Sequence, residues 1–190
     1  MEVSYRNSII IGIYGKARHG KDTVASIISK YAKEQGKQVI TTQISSYIKY
    51  YAMHLTDWDG SEENKPRDFL QQFATEVVRE KLNMPNHFIN RTLEDLKIFS
   101  YFYDVIIISD IRLLNEIESL RNSFPNVKII QVVRENFETE LNNTQQQHKT
   151  ETELENYIGY DKKIINTSLE LLEKEVKIVW EGILNEKNEQ

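Results

Sequence analysis

Apolar residues along this chain fall into short β-branched runs separated by longer stretches of helical spacing. Residues 8–14, 38–44, 104–109, 127–133 and 163–165 read as strands. The run Asp104-Val105-Ile106-Ile107-Ile108-Ser109 is the most continuous, as expected of a central strand covered on both faces. After the first strand, Val24, Ile27, Ile28 and Tyr31 repeat at i, i+3, i+4, i+7, and Gly36 supplies a stop for that helix. The alternation predicts an α/β fold: a three-layer, five-stranded parallel sheet with right-handed crossovers and ligands at the carboxyl ends of the strands.

About sixty residues separate the second and third strands, too many for one structureless loop, and they read as two or three helices. Phe69, Leu70, Phe73, Ala74 and Val77 keep helical spacing behind Pro66, and residues 88–103 are also helix-like. This insertion, about 45–103, is either a pocket for a second substrate or a plain helical cap on the sheet. Residues 135–157 are polar and include Gln145-Gln146-Gln147, consistent with a lid over phosphates or with a solvated surface helix. Ser168 is positioned to cap a last helix with Leu171, Leu172, Val176 and Val179 as its buried stripe, fraying after Leu184. No repeat or linker interrupts residues 1–190, so a single domain is expected.

The charge of −5 argues against nonspecific binding to nucleic acid or anionic membranes, so any anion must be caught by a local cluster. The absence of cysteine removes disulfides, thiolate metal sites and cysteine nucleophiles. Neither a signal-peptide pattern nor an apolar run of roughly 18 residues is present, and a cytoplasmic location is expected.

Gly15-Lys16-Ala17-Arg18-His19-Gly20-Lys21 has the G-x-x-x-x-G-K form of a phosphate-binding loop between strand and helix. Its N–H groups can encircle an anion at the helix N-terminus while Lys21 reaches the outer phosphates. Asp22 stands where Ser or Thr is usual and Thr23 carries the nearest hydroxyl, so Mg²⁺ is expected at Asp22 and Asp110, by carboxylate or through water. Lys21, Arg67, Arg79, Arg112 and Arg134 are the cations available to gathered phosphates. Arg112 is read as a bidentate clamp or as the ion-pair partner of Glu116. Arg67 and Arg79 are read as acceptor-phosphate ligands or as solvated helix residues, and Asp110 as a metal or acceptor group or as the N-cap of a helix starting at Ile111. His148 is a phosphate contact or simply exposed. The four histidines lack metal-ligand spacing. Tyr47, Tyr50 and Tyr51 are read as base-stacking groups or, two of them being at helical spacing, as core or interface residues, and Trp58 with them favours a base-bearing acceptor.

With these segments laid out, the chain resembles the phage-type deoxynucleoside monophosphate kinases, and animal-type phosphomevalonate kinases share several of the same motifs. The likeness rests on Gly15 to Thr23, Lys49, Trp58-Asp59-Gly60, Pro66-Arg67-Asp68-Phe69-Leu70-Gln71-Gln72 and Thr75-Glu76-x-x-Arg79. It continues through Ser109-Asp110-Ile111-Arg112-x-x-Asn115-Glu116, Arg134, His148-Lys149-Thr150-Glu151, Tyr160-Asp161 and Asn166-Thr167. The resemblance implies a P-loop nucleoside triphosphate hydrolase fold of nucleotide kinase type, ATP and Mg²⁺ as cofactors, and phosphoryl transfer to the 5′-phosphate of a (deoxy)nucleoside monophosphate. It assigns catalysis to Lys21, Asp110, Arg112 and Arg134, and ATP binding to Gly15, Lys16, Arg18, His19, Gly20, Lys21, Asp22 and Thr23. Acceptor binding falls to Lys49, Arg67, Gln71, Thr75, Arg79, Asp110, Arg112, Glu116, His148 and Glu151. Nucleotide substrates are the implied partners, with no nucleic acid or membrane, and a homodimer is plausible on the same ground. Two alternatives stand beside this reading. One is a phosphomevalonate-type kinase with a non-nucleotide acceptor. The other is a non-catalytic nucleotide-binding module, suggested because only Arg134 and Lys149 are cationic between Val133 and Tyr157.

Overall fold

The computed structural model describes residues 3–135 and 146–188. Five strands form one sheet: β1 (Ile9–Tyr14), β2 (Val39–Thr42), β3 (Val105–Ile111), β4 (Lys128–Val133) and β5 (Lys162–Ile165). They lie in the order β2-β3-β1-β4-β5, and every neighbouring pair is parallel. The helices are α1 (Lys21–Glu34), α2 (Ser45–Leu55), α3 (Arg67–Gln72), α4 (His87–Phe99), α5 (Leu114–Ser123), α6 (Lys149–Thr152) and α7 (Leu169–Asn188).

Period-two alternation on the central strands builds two cores. Ile9, Ile11 and Ile13 of β1 face α1 and α7 with Val105, Ile107 and Val132. Ile10 and Tyr14 face the opposite layer, where Ala74, Phe88, Leu96 and Ile117 pack on Ile106 and Ile108. The expected three-layer parallel sheet is therefore present. Among the described residues no helix is long and apolar enough to cross a membrane.

Several local expectations are corrected. The stripe of α7 is Leu172, Val176, Trp180 and Ile183, whereas Leu171 is 54% exposed, because the layer beneath it is met one residue further on. The helix does not fray after Leu184: Glu186 pairs with Lys128 and Lys162, and Lys187 donates to the Asn7 carbonyl. Strand β3 runs through Asp110 to Ile111, beyond the expected end at Ser109. Helix α3 passes without a break into a π-wound segment, Phe73–Lys81, in which Leu82 N–H reaches the Val77 carbonyl. The wider winding turns the apolar face, so Val78 is buried with Ala74 while Val77 is only half-buried.

Candidate active site

The loop between β1 and α1 is held by close backbone approaches that only glycine permits. Gly15 has φ 153°, and a Cβ there would stand 2.2 Å from the Val132 carbonyl oxygen of β4. Gly20 has φ 99°, and its Cβ would meet Asn166 Nδ2 at 2.5 Å. Asn166 follows β5 and donates to the His19 carbonyl at 3.0 Å, while Arg134 N–H donates to His19 Nδ1 at 3.2 Å. The ends of β4 and β5 thus clamp the loop from one side. Lys21 is buried, and its Nζ donates to the Lys16 carbonyl at 2.8 Å. Burial, reinforced by the neighbouring Arg112 guanidinium, lowers its pKa to about 7. Burial and the Lys21 ammonium also hold His19 below its ordinary value.

The end of β3 carries the next group. Gly12 pairs with Ile108 but Tyr14 with Ile111, so β3 has one extra residue and bulges there. Ser109 donates to Asp22 Oδ1 at 2.8 Å across one face. Asp110 turns to the other, where Oδ1 accepts Ile44 N–H at 2.7 Å and Oδ2 accepts Ser45 N–H at 3.0 Å. Asp110 therefore caps helix α2, contributed by a neighbouring strand, and not a helix starting at Ile111. The following helix begins at Leu114, with Glu116 accepting the Arg112 and Leu113 N–H groups. Glu116 is almost fully buried, and burial pushes its carboxyl up to about 7 despite those donors and Arg79 at 3.6 Å. Arg112 does not pair with Glu116; its Nη1 donates to Glu151 at 2.6 Å.

A cavity of about 530 Å³ opens between the loop, the end of β3 and the helical insertion. Its lining includes Arg18, Lys21, Asp22, Lys49, Arg67, Gln71, Thr75, Arg79, Asp110, Arg112, Glu116 and Glu151. Residues of the insertion therefore form one wall of this cavity. Arg79 is not on a solvated face: its side chain is 12% exposed, its guanidinium lies 5.5 Å from the Phe88 ring centroid, and its buried Nε has no hydrogen-bond partner among the described residues. Arg67 is half-buried and pairs with Glu62 at 2.6 Å. Lys49 donates to Gln43 at 2.6 Å, and burial beside Lys65 depresses its pKa. A second cavity, about 1010 Å³, lies across the loop and includes Gly15, Lys16, His19 and Arg134.

Of the remaining candidates, Thr23 is exposed, and Gly20 and His148 line neither cavity. His148 is half-buried and is the N-cap of α6, its Nδ1 accepting Thr150 N–H at 3.3 Å. The expected lid, 135–157, lies partly outside the described residues, which resume at residue 146. Trp58 is buried and donates to the Ser61 carbonyl, Tyr47 donates to Asp95, and Tyr51 packs on Phe73, so these rings act within the fold. Gln43, Lys65, Asn166 and Glu155 belong to the site although the sequence reading gave them no role. Lys65 stands two residues before Arg67, and Glu155 lies four residues beyond Glu151; both spacings are visible in the sequence.

For metal binding, no group of three or more His, Cys, Asp or Glu capable of holding an ion occurs among the described residues. Mg²⁺ in phosphoryl-transfer sites needs only one or two carboxylates with water and phosphate oxygens. Exposed Asp22, whose Oδ1 accepts from both Ser109 and Gln43, fits that requirement. The Asp110 oxygens are engaged by backbone donors.

The five-stranded parallel sheet with its glycine-framed loop is a fold that this chain shares with solved kinases. An APS kinase of Mycobacterium tuberculosis, solved with AMPPNP and APS, superposes with a TM-score of 0.58 at 8% identity, over 94% of this chain and 98% of that one. A sugar kinase of Janibacter gives 0.56 at 13% identity, over 93% and 95%. A mutant of the same APS kinase gives 0.54 at 11%, over 92% and 98%. No family model matches the sequence, and no curated protein matches it.

Proposed function

We propose that this chain transfers the γ-phosphoryl group of ATP to the 5′-phosphate of a nucleoside or deoxynucleoside monophosphate. The observation that carries the reading is the 530 Å³ cavity in which Lys21 and Arg112, beside the loop, face Lys49, Arg67 and Arg79 of the insertion. Two phosphate-bearing substrates bring several negative charges together, and catalysis is then mostly positioning and neutralisation by preorganised cations. The loop N–H groups and Lys21 bind the donor phosphates. Arg112 bridges toward the acceptor, and Arg67 and Arg79 orient the acceptor phosphate, whose oxygen supplies the partner that Arg79 Nε lacks. Ile48, Leu70 and Ala74 wall the cavity, with Gln71 and Thr75 as hydrogen-bonding groups for a base. Mg²⁺ would be held by Asp22 and would supply charge neutralisation between the phosphates. The AMPPNP-bound neighbour supports ATP as donor.

A second reading, a phosphomevalonate-type kinase, is favoured by one feature: no aromatic ring lines the acceptor cavity among the described residues. ADP formation measured across ribonucleoside and deoxynucleoside monophosphates, with phosphomevalonate included, separates the two. ADP release without any acceptor would sink both.

A further inference from the structure

Two carboxylates already hold donors that the phosphates of a bound nucleotide require. Glu151 Oε2 accepts the Ala17 N–H of the loop at 3.0 Å, and its Oε1 accepts Arg112 Nη1 at 2.6 Å. Glu155 pairs with Lys16 Nζ, also on the loop, at 2.5 Å. The Glu151 side chain is only 10% exposed, so this is a seated carboxylate and not a surface encounter. It stands where the two cavities meet, since Ala17, Arg112, Thr150 and Glu151 line both.

We infer that Glu151 is an intramolecular competitor of the nucleotide phosphates, a latch that must leave Ala17 and Arg112 before a triphosphate can seat. The inference rests on the ATP reading above and assigns Glu151 the opposite sign to a substrate ligand. A carboxylate offers the same charge sign and a similar pair of acceptor oxygens as a phosphate, and one N–H cannot serve both at full strength. When phosphate replaces Glu151, Arg112 exchanges one anion for another and is never left as a buried unpaired charge. The base of the segment is pinned independently: Glu153 accepts Leu114 N–H at 2.7 Å, Leu154 is buried, and Tyr14 donates to the Tyr157 carbonyl at 3.1 Å. Opening therefore needs only that the Glu151 and Glu155 side chains swing away. Because the competent state is a fraction of the total, apparent affinity is reduced by that fraction.

Calorimetric titration of ATP into the wild type and Glu151→Gln decides the matter. The amide keeps the shape and removes the charge, and the dissociation constant is expected to fall about tenfold, the factor for a latch closed roughly nine times in ten. Glu155→Gln should give a smaller gain of the same sign, and it serves as the test if Glu151→Gln does not fold. An unchanged or weakened affinity overturns the latch; unchanged affinity with reduced turnover would make Glu151 a fixed support for Arg112. Amide exchange at Ala17 in nucleotide-free protein gives a reading independent of ATP. Faster exchange in Glu151→Gln supports the latch and unchanged exchange overturns it, even if no form of the protein binds ATP and the kinase reading itself falls.

Discussion

Lys21 donates its ammonium to the carbonyl of Lys16, five residues earlier in the same loop. The buried cation is thus satisfied by the loop itself until an anion arrives. With its pKa lowered to about 7, chiefly by burial, the folded protein binds fewer protons here than the unfolded chain between pH 7 and the ordinary lysine range. Stability from this group therefore rises with pH across that window, and its burial penalty is fully present below it. A bound triphosphate reverses the shift, so ATP binding at pH 8 should take up close to one proton, seen as binding heats that depend on the buffer's ionisation enthalpy. Lys21→Met should abolish that dependence and lower kcat by at least about a hundredfold. Buffer-independent heats would show that Lys21 stays charged throughout.

Asp110 is bonded through both oxygens to the first N–H groups of α2, so Asp110→Asn leaves one of them without an acceptor. Unfolding in urea should show a loss of about 1–2 kcal/mol. An unchanged midpoint would mean that the cap carries no weight.

Glu116 has a folded pKa of about 7, above its ordinary value because of burial, with Asp110 pushing the same way and Arg79 opposing. The folded state binds more protons than the unfolded chain between the ordinary carboxyl range and pH 7. Stability from this group is full at low pH and is lost as pH rises through about 7. Glu116→Gln should flatten the fall in urea midpoint between pH 5 and pH 8, by roughly 3 kcal/mol at most. Parallel profiles for the two proteins would contradict the burial assignment.

Arg67, half-buried and paired with Glu62, is the gentlest probe of the acceptor side. Arg67→Ala should raise KM for the phosphate acceptor about ten- to a hundredfold, equivalent to 1.5–3 kcal/mol, with KM for ATP unchanged. Equal effects on both substrates would remove Arg67 from the acceptor site.

Features set by neighbouring residues were legible in the sequence. The β-branched runs marked the strands, and the glycine spacing marked the loop, because strand burial and positive φ impose their requirements locally. Partnerships across the fold were not legible. Arg112 has Glu116 at helical spacing, yet pairs with Glu151, 39 residues away, because the Glu116 carboxylate is committed to two backbone N–H groups. Asp110 looked like the start of the following helix but caps one that begins 65 residues earlier. The face of α7 was off by one position at Leu171 because the covering layer, and not the helix, chooses the stripe. Trp58 and Tyr47 carry aromatic rings open to a base-stacking reading, yet their polar partners, the Ser61 carbonyl and Asp95, lie within the fold, whereas Tyr50 is 53% exposed.

The contacts of the last turn of α7 have a practical consequence. Glu186 holds Lys128 and Lys162, the first residues of β4 and β5, and Lys187 meets Asn7 just ahead of β1. These anchor points all lie at the amino ends of parallel strands, whereas the loop and both cavities lie at the carboxyl ends. Anything attached before Asn7 or after Lys187 consequently departs from the face opposite the site. A surface-tethered or fused form joined at either point would present its cavities outward, with the mouth free to exchange small molecules.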